Sequence, residues 1–333
     1  MIKCVYCQNQ ETDSESHIIP EGLGTGPTLL GAVGRSCNND FGKVEQVIIK
    51  ALAPITNFLQ LTGKRGKRPA LELEADFGDV KQRIKVRNPQ DLKQRLFSYK
   101  TAISSDGKKK KIAFIGPIDQ LEEARKSYSE KYPNTTWEDM QSSDISDVAF
   151  YLHFDFAIFY NPFCMRAVAK IAFEWWIKQR SPGVVQGNEY DAIRNFIKAG
   201  EFPNYPIVSI VQDRTIINAF GPIPFGIHTL FCSIDPHSSN LVILVGLFSL
   251  VFYKVILTKR HTALAKIEQL ATVNPQTGQY YEPIIRLSLR SGPYISKIEK
   301  ADCIDPLKAI QNMKPFLLNR LNNGFEAIRA QST

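Results

Sequence analysis

Cys4 and Cys7 stand two residues apart, His17 opens the run His17-Ile18-Ile19-Pro20, and Cys37 directly precedes Asn38. A Cys-x-x-Cys pair presents two sulfurs to one zinc ion. An imidazole ordinarily titrates close to neutral pH, so His17 can take a proton from water. Carboxylate and amide oxygens are hard ligands suited to Mg²⁺ or a similar divalent ion. Residue types of this kind, gathered in one short segment, suit metal-assisted hydrolysis of a phosphodiester.

A closed zinc site needs four ligands, and Cys4, Cys7 and Cys37 supply three. A second complete pair would place a cysteine at position 34, which is Gly34. His17 would complete the set only by giving up its role as a base. The alternatives are a ligand from elsewhere, a water, or a trio of buried cysteines serving as small apolar groups.

The segment 4–45 resembles the HNH endonuclease family, in the branch whose central motif reads acidic-His-Ile-Ile-Pro. The residues that carry the resemblance are Cys4, Cys7, His17, Ile18, Ile19, Pro20, Leu23, Gly24, Cys37, Asn38, Phe41, Gly42 and Glu45. It implies a β-hairpin and a helix built around one divalent metal, with His17 as general base and Asn38 at a metal-ligand position. The family usually has Asp or Glu immediately before the histidine, where this chain has Ser16. Glu15 reaches the metal if the hairpin bulges, and Asp40 is another nearby carboxylate. Small proteins of this family are often phage-defence or mobile-element nucleases, which implies DNA as the partner.

Three functions follow as expectations. The first is a metal-dependent DNA endonuclease. The second is a zinc-knuckle DNA-binding module without catalysis, favoured by Ser16. The third is a defence effector subunit whose nuclease waits on a protein partner or an oligomer.

These residues need elements to hold them. Apolar residues at Phe41, Val44, Val47, Ile48, Ala51 and Leu52 predict a helix, with Pro54 ending or bending it. Residues 1–54 are expected to form the ββα unit, and residues 55–333 a larger α+β region with an antiparallel sheet. Helices are expected over 118–132, from Pro162 to Arg180, over 189–199 with Gly200 closing it, and over 305–328. Ala149 to Tyr160 reads as a buried strand, and strands dominate 207–290.

The chain of 333 residues carries a net charge of +8, which favours an anionic partner. Segment 64–111 holds 15 basic and 6 acidic residues, so its surplus alone exceeds the charge of the whole chain. Lys64, Arg65, Lys67, Arg68, Lys81, Arg83, Lys85 and Arg87 are the candidate phosphate contacts. Lys81 to Arg87 alternates as a strand with one basic face. The bland alternative is a solvated polar hairpin.

The apolar run Leu241 to Tyr253 is shorter than the roughly 18–20 residues of a spanning helix. It reads instead as two buried strands broken near Gly246–Ser249. No membrane association is expected. Six dispersed cysteines and an N-terminus without an apolar signal core point to a reducing, cytoplasmic setting. His153, His228, His237 and His261 show no ligand spacing and read as structural.

Overall fold

A computed structural model describes residues 3–9, 11–63, 66, 68–76, 81–87, 98–103, 110–115, 118–133, 135–137, 149–152, 156–211, 225–235, 238–259, 268–282 and 318–319. The fold is α+β, with helices and antiparallel sheets. The chain forms two compact units, one of residues 1–66 with 155–333 and one of residues 67–154. The division therefore does not fall at 54/55, where the motif boundary would put it. A short hairpin and one helix cannot bury both of their faces alone, and here they share a core with elements from much later in the chain.

In the first unit, β1 (Ser14–His17) pairs antiparallel with β2 (Thr28–Val33), and α1 (Arg35–Ala51) follows directly. The register shifts between Ser14 and Glu15, so a bulge does lie beside Glu15. The residue before α1 is Gly34, which has no side chain to cap the helix. Asp13 does so instead, accepting from the Arg35 backbone N–H at 3.0 Å. Cys37, Phe41, Val44, Ile48 and Ala51 form the buried face of α1, at the three- and four-residue spacing of a helix. The helix thus starts six residues before the expected Phe41. The helix breaks at Leu52, two residues before Pro54, in keeping with a proline that ends or bends it. Pro54 sits in the first turn of α2 (Ala53–Phe58), where its missing N–H costs nothing.

Strands β8 (Val208–Ile210), β9 (His228–Ile234), β10 (Leu241–Leu247), β11 (Val251–Thr258), β12 (Glu268–Val273) and β13 (Tyr280–Tyr281) form one antiparallel sheet, ordered β13-β12-β9-β10-β11-β8. Strands β10 and β11 are buried throughout, as the apolar run predicted. Phe248 and Ser249 turn between them with φ of 54° and 52°.

The helix α4 (Pro162–Arg180) packs against α1 and against this sheet. Every residue from Ala167 to Ile177 is buried, which fits a helix covered on all sides. Asn161 caps its start by accepting from the Phe163 N–H at 2.9 Å. A shorter helix, α5 (Asp191–Ala199), ends at Gly200, whose φ of 76° suits glycine.

The second unit holds the sheet β4-β3-β7, made of β3 (Leu71–Asp76), β4 (Lys81–Val86) and β7 (Ala149–Leu152). It also holds the hairpin of β5 (Ser98–Ile103) and β6 (Lys110–Ile115), and the helix α3 (Ile118–Lys131). Of the expected strand over 149–160, Ala149–Leu152 is strand, and 153–155 lie outside the described residues. Phe156–Tyr160 is a 3-10 helix in the first unit, with Phe156 and Phe159 buried three residues apart. The expected helix over 305–328 lies outside the described residues except for 318–319, which are helical. Among the described residues no helix is long and apolar enough to cross a membrane.

Candidate metal centre and hydrolytic site

Cys4, Val5, Tyr6, Cys7 and Gln8 form a tight turn closed by the Gln8 N–H on the Cys4 carbonyl at 2.8 Å. The Val5 N–H donates to the Ala32 carbonyl at 2.9 Å, which fastens the turn to β2. Cys37, in the first turns of α1, meets it there. The sulfurs of Cys4, Cys7 and Cys37 all lie within 4.8 Å of one another. Zinc–sulfur bonds of about 2.3 Å in a tetrahedron put sulfurs about 3.8 Å apart, so the trio fits such an ion.

The trio favours one thiolate, on Cys4, held by a neighbouring thiol. The Cys37 thiol hydrogen-bonds Cys4 and, against the penalty of burial, brings the Cys4 pKa down to about 5. Backbone groups of Cys7, Gly34 and Tyr6 add to that lowering. Cys37 is pushed up by the same interaction and by burial. Among the described residues no other His, Cys, Asp or Glu joins the three. His17 is therefore not the fourth zinc ligand. Gly34, where the missing cysteine of a second pair would stand, does touch Cys4.

His17 ends β1, and its side chain is half-buried. Glu15, two residues earlier, is exposed, and Ser16 between them is fully buried. That is the alternation of a strand, with Ser16 facing the core. Asn38 follows Cys37 on α1, and its amide nitrogen donates to the Glu15 carbonyl at 3.0 Å. This bond ties the helix to the strand that carries His17. It leaves the Asn38 Oδ1 as the atom able to face a cation.

Asp40 is exposed and lies two residues beyond Asn38, about 200° around the helix. It therefore does not share the Asn38 face. Glu15, His17 and Asp40 do not converge as a trio of ligand atoms.

The side chain of Ser16 is occupied. Its hydroxyl donates to Glu174 of α4, at 3.0 Å from Oε1 and 2.8 Å from Oε2. Tyr6 also donates to Oε1, at 3.0 Å. Lys170, one turn earlier on α4, reaches Oε2 at 3.0 Å, Glu45 Oε1 at 2.9 Å and the His17 carbonyl at 2.8 Å. Burial pulls the Lys170 pKa down, but the two carboxylates outweigh it and leave it raised, so the ammonium is kept. Burial lifts Glu174, and Lys170 and Ser16 oppose the lift. Burial, with the nearby Glu45 adding to it, leaves the Glu174 pKa raised overall. Of this cluster, sequence reading singled out only Ser16 and Glu45. Lys170 and Glu174 sit in a helix whose other buried residues are apolar, and their i, i+4 spacing was the one available signal.

Of the expected phosphate contacts, Lys64, Arg65 and Lys67 lie outside the described residues, as do His153, His237 and His261. Lys81, Arg83, Lys85 and Arg87 are all exposed, with Ile84 and Val86 buried between them. The face is mixed, however. Glu72 and Glu74 stand directly across on β3, and Lys85 and Lys81 pair with them at 2.9 and 3.4 Å.

His228 is structural, as its isolation in the sequence suggested. It is buried between the Leu23 carbonyl at 3.2 Å and the Phe248 N–H at 3.3 Å.

Compared with known protein families, curated proteins and solved structures, this chain matches none.

Proposed function

We propose that residues 4–45 form the catalytic part of a metal-dependent DNA endonuclease of the HNH kind. The observation that supports this best is the Asn38–Glu15 hydrogen bond, which joins the start of α1 to the strand ending in His17. A hairpin and a helix then carry a base and a ligand side by side, with three sulfurs pinning the hairpin's base to the helix.

In this reading His17 takes a proton from water as the water attacks phosphorus. Asn38 Oδ1 and the exposed Glu15 carboxylate would hold a divalent ion, Mg²⁺ or similar. When bound, that ion stabilises charge on the leaving oxygen. The hard oxygen donors of Asn38 and Glu15 fit such an ion. Zn²⁺ on Cys4, Cys7 and Cys37 is structural and lies apart from the chemistry. Cys164 and Cys232, outside the sulfur trio, are free thiols, which accords with a reducing, cytoplasmic setting.

One observation favours a second reading, a zinc-knuckle DNA-binding module without catalysis. Ser16 is turned into the core, so position 16 offers a metal nothing, and only Glu15 and Asn38 remain.

The test is cleavage of plasmid and single-stranded DNA by the purified protein with Mg²⁺, Mn²⁺ or Ni²⁺. Cutting is expected, and His17→Ala is expected to abolish it without unfolding the protein. Intact DNA under all three metals, with binding retained, would leave the second reading standing.

A further inference from the structure

Lys170 and Glu174 occupy one face of α4, one turn apart, with side chains 1% and 0% exposed. Replacing such a buried ion pair by well-packed apolar residues is often neutral or stabilising, so stability alone is a weak reason to keep it. What the pair does geometrically is more specific. Its ammonium donates to the backbone carbonyl of His17 at 2.8 Å. Its carboxylate holds the hydroxyl of Ser16, the residue immediately before His17. Two consecutive residues of β1 are thereby anchored, one by its side chain and one by its main chain.

Glu45 completes the clamp from α1, the helix that also carries Asn38. Tyr6 joins it from the turn between Cys4 and Cys7. The strand of His17, the helix of Asn38 and the turn of the sulfur site each contact this charged pair.

We propose that Lys170 and Glu174 are positioning residues for His17, an inference that rests on its role as the base. A hydrolytic base must be held to within a fraction of an ångström of its water, and a misplacement of about 1 Å can cost about 100-fold in rate. His17 ends its strand, and the peptide that follows it is held at both ends: the Ile18 N–H donates to the Pro27 carbonyl at 3.1 Å, and the His17 carbonyl accepts from the Lys170 ammonium at 2.8 Å.

The experiment compares two double variants. Lys170→Met with Glu174→Gln removes both charges, keeps an acceptor for Ser16 and Tyr6, and removes the donor to the His17 carbonyl. Lys170→Gln with Glu174→Gln differs from it in retaining a donor at position 170. The readouts are the His17 imidazole ¹H and ¹⁵N resonances, the melting temperature, and kcat and KM for DNA cleavage. The Met-containing variant is expected to shift or broaden the His17 signals. Its kcat should fall by about 10- to 100-fold with KM nearly unchanged. The Gln-containing variant should recover part of both. A role in stability alone predicts that the two variants melt differently while the His17 signals of both match the wild type. That result overturns the proposal.

If neither double variant folds, Tyr6→Phe decides. It removes a single hydroxyl from Glu174, and unchanged His17 signals there overturn the proposal as well. A wild-type protein that cuts no DNA defeats the nuclease reading, and the imidazole signals still judge the clamp.

Discussion

Ser16 and Glu174, 158 residues apart in the chain, share two hydrogen-bonding distances of 3.0 and 2.8 Å with no exposure of either residue. Position 16 is thus neither a vacant ligand nor a weak one. It is an attachment of the hairpin to α4, and the hydroxyl is there because it can donate to a carboxylate.

Placing an acidic residue at this position should therefore fail. Ser16→Asp would set a second carboxylate about 4 Å from Glu174, a repulsion of about 4 kcal/mol at an effective dielectric constant near 20. Ser16→Ala should cost less, about 1.5–3 kcal/mol for hydrogen bonds to a charged group. Urea unfolding of both variants is the check. An Asp variant as stable as wild type would mean that position 16 can turn outward after all.

Gly34 offers the complementary repair. Its φ of −76° and ψ of 148° suit any residue, and its backbone contacts Cys4. Gly34→Cys should supply a fourth thiolate and tighten zinc binding by about 10-fold or more, read by competition with a chromophoric chelator. In the wild type, chelation should lower the melting temperature, since the metal binds only the folded arrangement. Affinity unchanged by Gly34→Cys would place the open ligand position elsewhere.

His228 sets a pH dependence. Its Nδ1 accepts from the Phe248 N–H, so its Nε2–H donates to Leu23 and the ring is neutral. Burial brings its pKa down from 6.5 to about 4, against the Leu23 carbonyl, which favours the charged form. The unfolded chain therefore binds the extra proton first. This stabilisation is complete above pH 6.5 and is lost as the pH falls toward 4, a change of about 3 kcal/mol. Denaturant midpoints between pH 7.5 and 4 should fall more steeply for the wild type than for His228→Gln. Equal slopes would show that another group governs acid sensitivity.

The loop that follows His17 is seated on the turn after β12. Thr25 N–H donates to the Pro275 carbonyl at 2.8 Å. Gly24 has a φ of 117°, and a Cβ there would lie 2.5 Å from the Pro275 Cβ and 2.7 Å from its carbonyl oxygen. Gly24→Ala combines backbone strain with that clash and should cost about 2 kcal/mol or more. Thermal unfolding measures it, and a loss below about 0.5 kcal/mol would mean that the turn gives way freely.

The basic face of 81–87 illustrates the limit of reading one strand at a time. Its alternation was visible, because Lys81, Arg83, Lys85 and Arg87 follow a period of two. The acids that offset it were also visible, at 72 and 74, but only the pairing of β3 with β4 puts them opposite.

Local periodicity and chain chemistry determined much of this protein. The knuckle spacing, the Cys37–Asn38 junction, the limits of α4, the cap at Gly200 and the two buried strands β10 and β11 all follow from contacts within a few residues. The tertiary structure alone decided what Ser16 is for, because its partner Glu174 lies 158 residues away on another helix. It also decided that the hairpin has no core of its own, and that Lys170 ends on the carbonyl of His17. The reason is physical. A buried charge is stable only beside its partners, and those partners come together when four distant segments pack around it.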